Sequence, residues 1–218
     1  EQRGGDEPPK RDLGMEALVE VLEGKRVVQH HTHRADDILT VLRIADEFGY
    51  RIVIQHGLEA WKVADQLAAA EVPVSLIVVD SPGGKHEATD YRMDSAKILA
   101  DAGVKIAIHT DDFIISSRLL LREGGLAIRA GLDETTALRA LTQNAAEMLD
   151  LGDRVGSLEK GKDADFVVLS GAPFSTYTQV LETWIEGERV FDRNNPDDLR
   201  YATGGFNVAD RYPDGATR

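Results

Sequence analysis

Apolar and polar positions change period repeatedly along this chain, and the alternation is regular. From Met15 the run MEALVEVL has helical spacing and closes at Glu23-Gly24-Lys25, after which RVVQHH is a short β-branched run ending in polar residues. ADDILTVLRIADEFGY then places Ile38, Leu39, Leu42, Ile44, Ala45 and Phe48 at helical spacing, with Gly49 as the stop. The grammar repeats as strand RIVIQHG, helix EAWKVADQLAAA, strand PVSLIVVDS, helix DYRMDSAKILADAG and strand VKIAIHTDD. Two more helical patterns complete the region, SSRLLLREGGLAIRAG and DETTALRALTQNAAEMLDL. Strands alternating with helices of this length specify βαβ units and a parallel sheet, and nearly continuous apolar strands are expected where both faces are covered.

After Leu151 the pattern shifts to β. DRVGSLEKGKDADFVVLSG carries Gly turns around a strand, and VLETWIEGERVFD reads as two short strands joined at Glu186-Gly187. The expected organisation is therefore an α/β region over 1–152, a small β appendage over 153–192, and an irregular tail over 193–218. The first residues, EQRGGDEPPKRDLG, are rich in Gly, Pro and charge and read as a loop interior, as if the chain began within a larger unit.

Composition narrows the function. The 218 residues are 42% hydrophobic and 29% charged, ordinary values for a globular protein. A net charge of −13 argues against a nucleic-acid partner, because phosphate binding needs clustered Lys and Arg. No apolar run is long enough to span a bilayer. With no cysteine, a metal site here must draw on His, Asp, Glu or Lys.

The polar residues fall where chemistry is expected. His30, His31 and His33 end the first strand, His56 the second, Asp80 the third, and His109 with Asp111 and Asp112 the fourth. In a parallel α/β fold those ends share one face, and active sites are built there. His31, His56 and Asp111 are the candidate metal ligands, Asp111 doubling as proton shuttle, while His33 and His109 are candidate supporting or substrate-contacting residues. Each has a plainer reading. His-x-His alone is a weak signal; His56 before Gly57 could cap a strand; Asp111 and Asp112 could begin a helix. His30 should face away from His31, and His86 sits in a Gly-rich loop.

Those motifs resemble the amidohydrolase superfamily, in its imidazolonepropionase-like branch. HTHRADDI at His31–Ile38, IVIQHG at Ile52–Gly57, GVKIAIHTDD at Gly103–Asp112 and LTQNAAEMLDLGDRVGSLEKGKDADFVVLSGAPF at Leu141–Phe174 carry the likeness, the last being the most specific. The resemblance implies a (β/α)₈ TIM-type barrel whose metal is held by a first-strand His-x-His, often a carboxylated fourth-strand Lys, a fifth-strand His, a sixth-strand His and an eighth-strand Asp. His31, His56 and Asp111 match the last three. The chain then corresponds to the C-terminal half of such a barrel, strands five to eight, with part of the β-sandwich appendage. Lys10 and Lys25 lie in a loop and at a helix end, and neither matches the bridging Lys.

The resemblance leads to the expectation of a hydrolase in which water activated by a divalent metal, zinc with iron or manganese as alternatives, attacks an amide, cyclic amide or related C–N bond of a small molecule. The expected partner is a missing N-terminal half or a second copy of the chain, because half a barrel exposes two sheet edges. The competing expectation is a catalytically incomplete fragment that folds or associates without the first-strand His pair and bridging Lys. A flavodoxin-like phosphate module at SPGGKHE is disfavoured, since Gly83-Gly84-Lys85 lacks P-loop spacing.

Overall fold

A computed structural model describes residues 10–77, 86–112 and 114–204. Helix α1 spans Leu13–Leu22, capped by the Asp12 carboxylate, which accepts from the Gly14 and Met15 amides. Its Leu13, Met15, Leu18, Val19 and Leu22 are all exposed, so its apolar stripe has no covering element among the described residues. Then come β1 (Val28–Thr32), α2 (Ala35–Phe48), β2 (Ile52–His56), α3 (Ala64–Ala69, entered through a 3₁₀ turn at Ala60–Val63), β3 (Val74–Leu76), α4 (Ser95–Asp101) and β4 (Ile106–Ile108). The four strands pair in sequence order, all parallel, as the βα alternation requires.

Alternation within the strands divides the sheet. Ile52, Ile54, Val74, Leu76, Ile106 and Ile108 lie on one face and pack against Ile38 and Val41 of α2, Leu67 of α3 and Leu99 of α4 in one buried cluster. Ile38, Ile54, Leu67, Leu76, Leu99 and Ile106 are fully enclosed. Each such side chain contributes roughly 1.5–3 kcal/mol by leaving water. The opposite face carries Gln29, His31, Gln55, Ser75 and His109, and only its base is apolar, where Val53 and Ala107 meet Met148.

Met148 belongs to a helix that the periodicity does not resolve. After α5 (Leu120–Arg129), the pattern from Asp133 to Leu151 predicts one helix, but the chain forms two there, α6 (Glu134–Leu141) and α7 (Gln143–Met148), breaking at Thr142 with φ −135° and ψ −91°. The break turns α7 across the base of the sheet, where Asn144 Nδ2 donates to the Ile106 carbonyl at 2.8 Å and Gln29 Nε2 donates to the Met148 carbonyl at 3.1 Å. Two backbone acceptors at the sheet's base are thereby engaged.

The appendage is an antiparallel sheet of β5 (Phe166–Leu169), β6 (Val180–Ile185) and β7 (Glu188–Asp192) in that order. Glu186 and Gly187 both have positive φ, the two-residue hairpin turn that the sequence predicts, and Phe166 stacks on Trp184 with ring centroids 5.6 Å apart. Phe174, in the loop after β5, lies against Gly124 of α5, so the appendage is pinned to the sheet-covering helices by an aromatic ring. The expected irregular tail instead contains α8 (Pro196–Thr203), because Asn195 accepts from the Asp197 amide and Pro196 occupies the first turn, where its missing N–H is harmless. Asp80 and the Gly83-Gly84-Lys85 loop lie outside the described residues. No helix among the described residues is long and apolar enough to cross a membrane.

Candidate metal centre

Four imidazoles converge at the C-terminal ends of β1, β2 and β4. The His31 ring centroid is 4.7 Å from that of His33 and 4.3 Å from that of His56; His33 and His56 are 5.1 Å apart, and His56 and His109 5.0 Å. His31 is exposed, His33 and His56 are buried, and His109 is half-buried. His30 faces away from them, as alternation predicts, its Nδ1 2.6 Å from Thr32 Oγ1.

Simple alternation does not deliver His56 to this cluster. The ladder pairs it with Thr32 and Leu76, on the helix-packed side of the sheet. Its φ of 73° overrides that placement and turns the ring toward His31 and His109. Left-handed backbone at a non-glycine residue costs on the order of 1–3 kcal/mol and persists only where its surroundings enforce it. Gly57 comes next at φ 53° with its amide donating to the Thr32 carbonyl at 2.9 Å, and a Cβ there would come within 2.9 Å of Val74. The reading of His56 as a plain strand cap therefore misses what the turn does.

Asp111 is the second ligand candidate held this way, at φ 50° in a turn where the Ile114 amide donates to its carbonyl and the Ile115 amide to that of Thr110. The next helical turn begins only at Ser117, so Asp111 and Asp112 are not its opening residues and the helix-start reading does not hold. Asp111 is exposed, and its negative charge acts favourably on protonated His56 and His109. Burial outweighs that attraction. Desolvation lowers the His109 pKa from 6.5 to about 4; desolvation, with repulsion from His109, His31 and His33, does the same for His56. Both rings are neutral near pH 7, the state in which a ring nitrogen can donate a lone pair.

Glu87, half-buried in the 3₁₀ turn His86–Ala88 after β3, enters the site as well, with Oε1 3.9 Å from His33 Nε2. His31, His33 and Glu87 each offer one ligand atom within 4.8 Å of the others. Two imidazoles and a carboxylate are a donor set that suits zinc and related divalent ions. Sequence reasoning passes over Glu87, since one carboxylate in a Gly-rich loop has no periodic signature. It also passes over Glu59, whose Oε2 accepts from the Ala35 amide at 2.9 Å while its own amide donates to the His33 carbonyl, tying the start of α2 to the histidine loop. His86 itself is exposed.

The model of the amidohydrolase family matches residues 16–192. The chain belongs to the amidohydrolase family. Amidohydrolase tasK of Hapsidospora irregularis is 28% identical over 191 residues, covering 86% of this chain and 20% of that protein. The imidazolonepropionase of Thermoplasma volcanium is 32% identical over 117 residues, 49% of this chain and 28% of its own length, in line with the imidazolonepropionase-like motifs. Among solved structures, an amidohydrolase from Thermotoga maritima MSB8 superposes with a TM-score of 0.82 at 42% identity, over 86% of this chain and 49% of that one. Guanine deaminase of E. coli, at 18% identity and a TM-score of 0.60, shares the fold alone. The chain thus spans between a fifth and a half of the length of these proteins.

Proposed function

We propose that this chain supplies half of the metal site of a hydrolase acting on amide, cyclic amide or related C–N bonds of small molecules. The observation that carries the reading is the meeting of His31, His33, His56 and His109 at the strand ends in a member of the amidohydrolase family. The sheet β1–β4 corresponds to strands five to eight of a (β/α)₈ barrel, and β5–β7 to part of its β-sandwich; coverage of 49% of the Thermotoga chain at a TM-score of 0.82 supports this. The remaining ligands, a His-x-His pair and a bridging Lys, would come from a complementary half-barrel or from a second copy of the chain.

In this reading His31, His56 and Asp111 hold a divalent ion, zinc in preference to iron or manganese. Bound there, such an ion supplies Lewis acidity, acidifying water and polarising a carbonyl. Asp111, exposed at the mouth, takes a proton and returns it to the departing nitrogen. Neutral His56 presents a lone pair at pH 7, and His33, paired with Glu87, offers a polar anchor for substrate beside the reacting carbonyl. A second reading has a specific observation behind it: the ion sits on His31, His33 and Glu87, whose ligand atoms lie within 4.8 Å.

Metal content per chain, measured by inductively coupled plasma mass spectrometry after dialysis, tests both. Near-stoichiometric zinc, iron or manganese that falls in His56→Ala but not in His33→Ala supports the main reading. The reverse pattern selects the His31, His33 and Glu87 set. Absence of metal from the wild-type chain would mean that it is a catalytically incomplete fragment, and the hydrolase reading of the isolated chain would fail.

A further inference from the structure

A hydrogen-bonded relay lies behind His56. His56 Nδ1 lies 3.2 Å from His109 Nε2, and His109 Nδ1 lies 2.7 Å from the Ser75 hydroxyl. Ser75 comes from β3, His109 lies just past β4 and His56 ends β2, so three neighbouring strands contribute one member each. The Ser75 side chain is buried, and the His109 amide donates to the Leu76 carbonyl at 2.9 Å, which fixes the His109 backbone against β3.

Two ring nitrogens in contact cannot both carry a proton, nor can both present lone pairs without repulsion; one donates and the other accepts. The direction of the whole relay is then set by one choice. If Ser75 donates to His109 Nδ1, then His109 Nε2 bears the proton and donates to His56 Nδ1, and His56 carries its own proton on Nε2. If Ser75 accepts, His109 Nδ1 bears the proton, His109 Nε2 accepts from His56 Nδ1–H, and the His56 Nε2 lone pair is left open. Only the second arrangement suits a ligand, because Nδ1 is already engaged.

We propose that Ser75 is a positioning residue: by accepting from His109 it keeps the His56 proton on Nδ1 and leaves Nε2 as a lone-pair donor toward the strand-end cluster. The inference rests on the reading of His56 as a ligand, yet it concerns the protonation pattern of the chain itself and can be measured without metal. Serine suits the role because its hydroxyl rotates. It can accept a hydrogen bond from the imidazole N–H, whereas alanine at this position would leave the half-buried His109 Nδ1–H without the Ser75 oxygen.

Long-range ¹H–¹⁵N correlation spectra of the ¹⁵N-labelled 218-residue chain, stripped of metal and held near pH 7.5, report which nitrogen of each histidine is protonated. The expected wild-type result is Nδ1–H on both His56 and His109. Protonation of His56 at Nε2 in the wild type would overturn the proposal. In Ser75→Ala the His56 population should move toward Nε2–H and zinc affinity should fall about tenfold, in the range typical for loss of a group that orients a ligand; Ser75→Thr, which retains the hydroxyl, should restore both. A Ser75→Ala chain with folded-state spectra, an unshifted His56 and unchanged zinc affinity would also overturn it. A wild-type chain that binds no zinc while keeping Nδ1–H on His56 would defeat the hydrolase reading and leave the relay standing.

Discussion

The four-stranded sheet has two faces made from alternate residues of the same strands, and they obey opposite rules. On the helix-covered face, Ile54, Val74, Leu76, Ile106 and Ile108, all aliphatic, are at most 3% exposed and sit on regular backbone. On the other face, polar Gln29, His31, Gln55, Ser75 and His109 stand side by side, and the residue that completes the imidazole cluster, His56, reaches it only by leaving regular geometry. The first face minimises exposure, with no atom held for a later use. The second accepts strained backbone and unshielded polar groups in return for a fixed convergence of donors. Stability and chemistry are thus separated by a few ångströms within single strands.

That separation can be broken from either side. The largest expected effect is on the apolar face: Leu99→Ala, at a site with no exposure, should lower unfolding free energy by about 2–5 kcal/mol in urea denaturation. The His56 tautomer and the zinc affinity of the still-folded fraction should be unchanged, and a parallel loss of both would show that the two faces are not separable. Gly57→Ala should come next, at roughly 1–3 kcal/mol, because its φ of 53° and the 2.9 Å approach to Val74 both oppose a Cβ. Here zinc affinity should fall as well, since the same turn aims His56; a destabilised variant with intact affinity would separate the turn from the site.

A third effect is the dependence on pH. His56 and His109 take up protons near pH 4 when folded and near 6.5 when unfolded, so the metal-free protein gains nothing from them above 6.5 and loses stability as pH falls from about 6.5 toward 4. Melting temperatures across that window should drop more steeply for the wild type than for His109→Gln. Identical slopes would mean that the rings are not the groups being titrated.

Much of this is legible in the residues. Continuous apolar runs such as RIVI and VKIAI require strands covered on both sides, and helical spacing in ADDILTVLRIADEF finds α2 with its Gly49 stop, because burial acts on each residue locally. The alternation of His30 and His31 is readable for the same reason. His56 stands out as a candidate but for an incomplete reason, since period-two logic sends it to the wrong face and only the glycine after it hints at the turn. Ser75 and Glu87 are beyond reach. Serine inside the run PVSLIVV looks like a tolerated small residue, and its partner His109 is 34 positions away. The break at Thr142 is hidden too, because its flanking residues keep helical spacing and the tertiary position of α7 decides the kink.

One side chain links the two ends of the chain's construction. Gln29 accepts from Gln55, 26 residues along, and donates to the Met148 carbonyl, 119 residues along. Loop closure grows as the logarithm of length, so the second contact is harder to form than the first by about 1.3 kcal/mol of chain entropy. The sheet can assemble one βα unit at a time from near neighbours, while the floor beneath its polar face must wait until the chain has reached Met148. A ribosome emitting this protein would release the strand-end histidines long before the helix that seals the base beneath them.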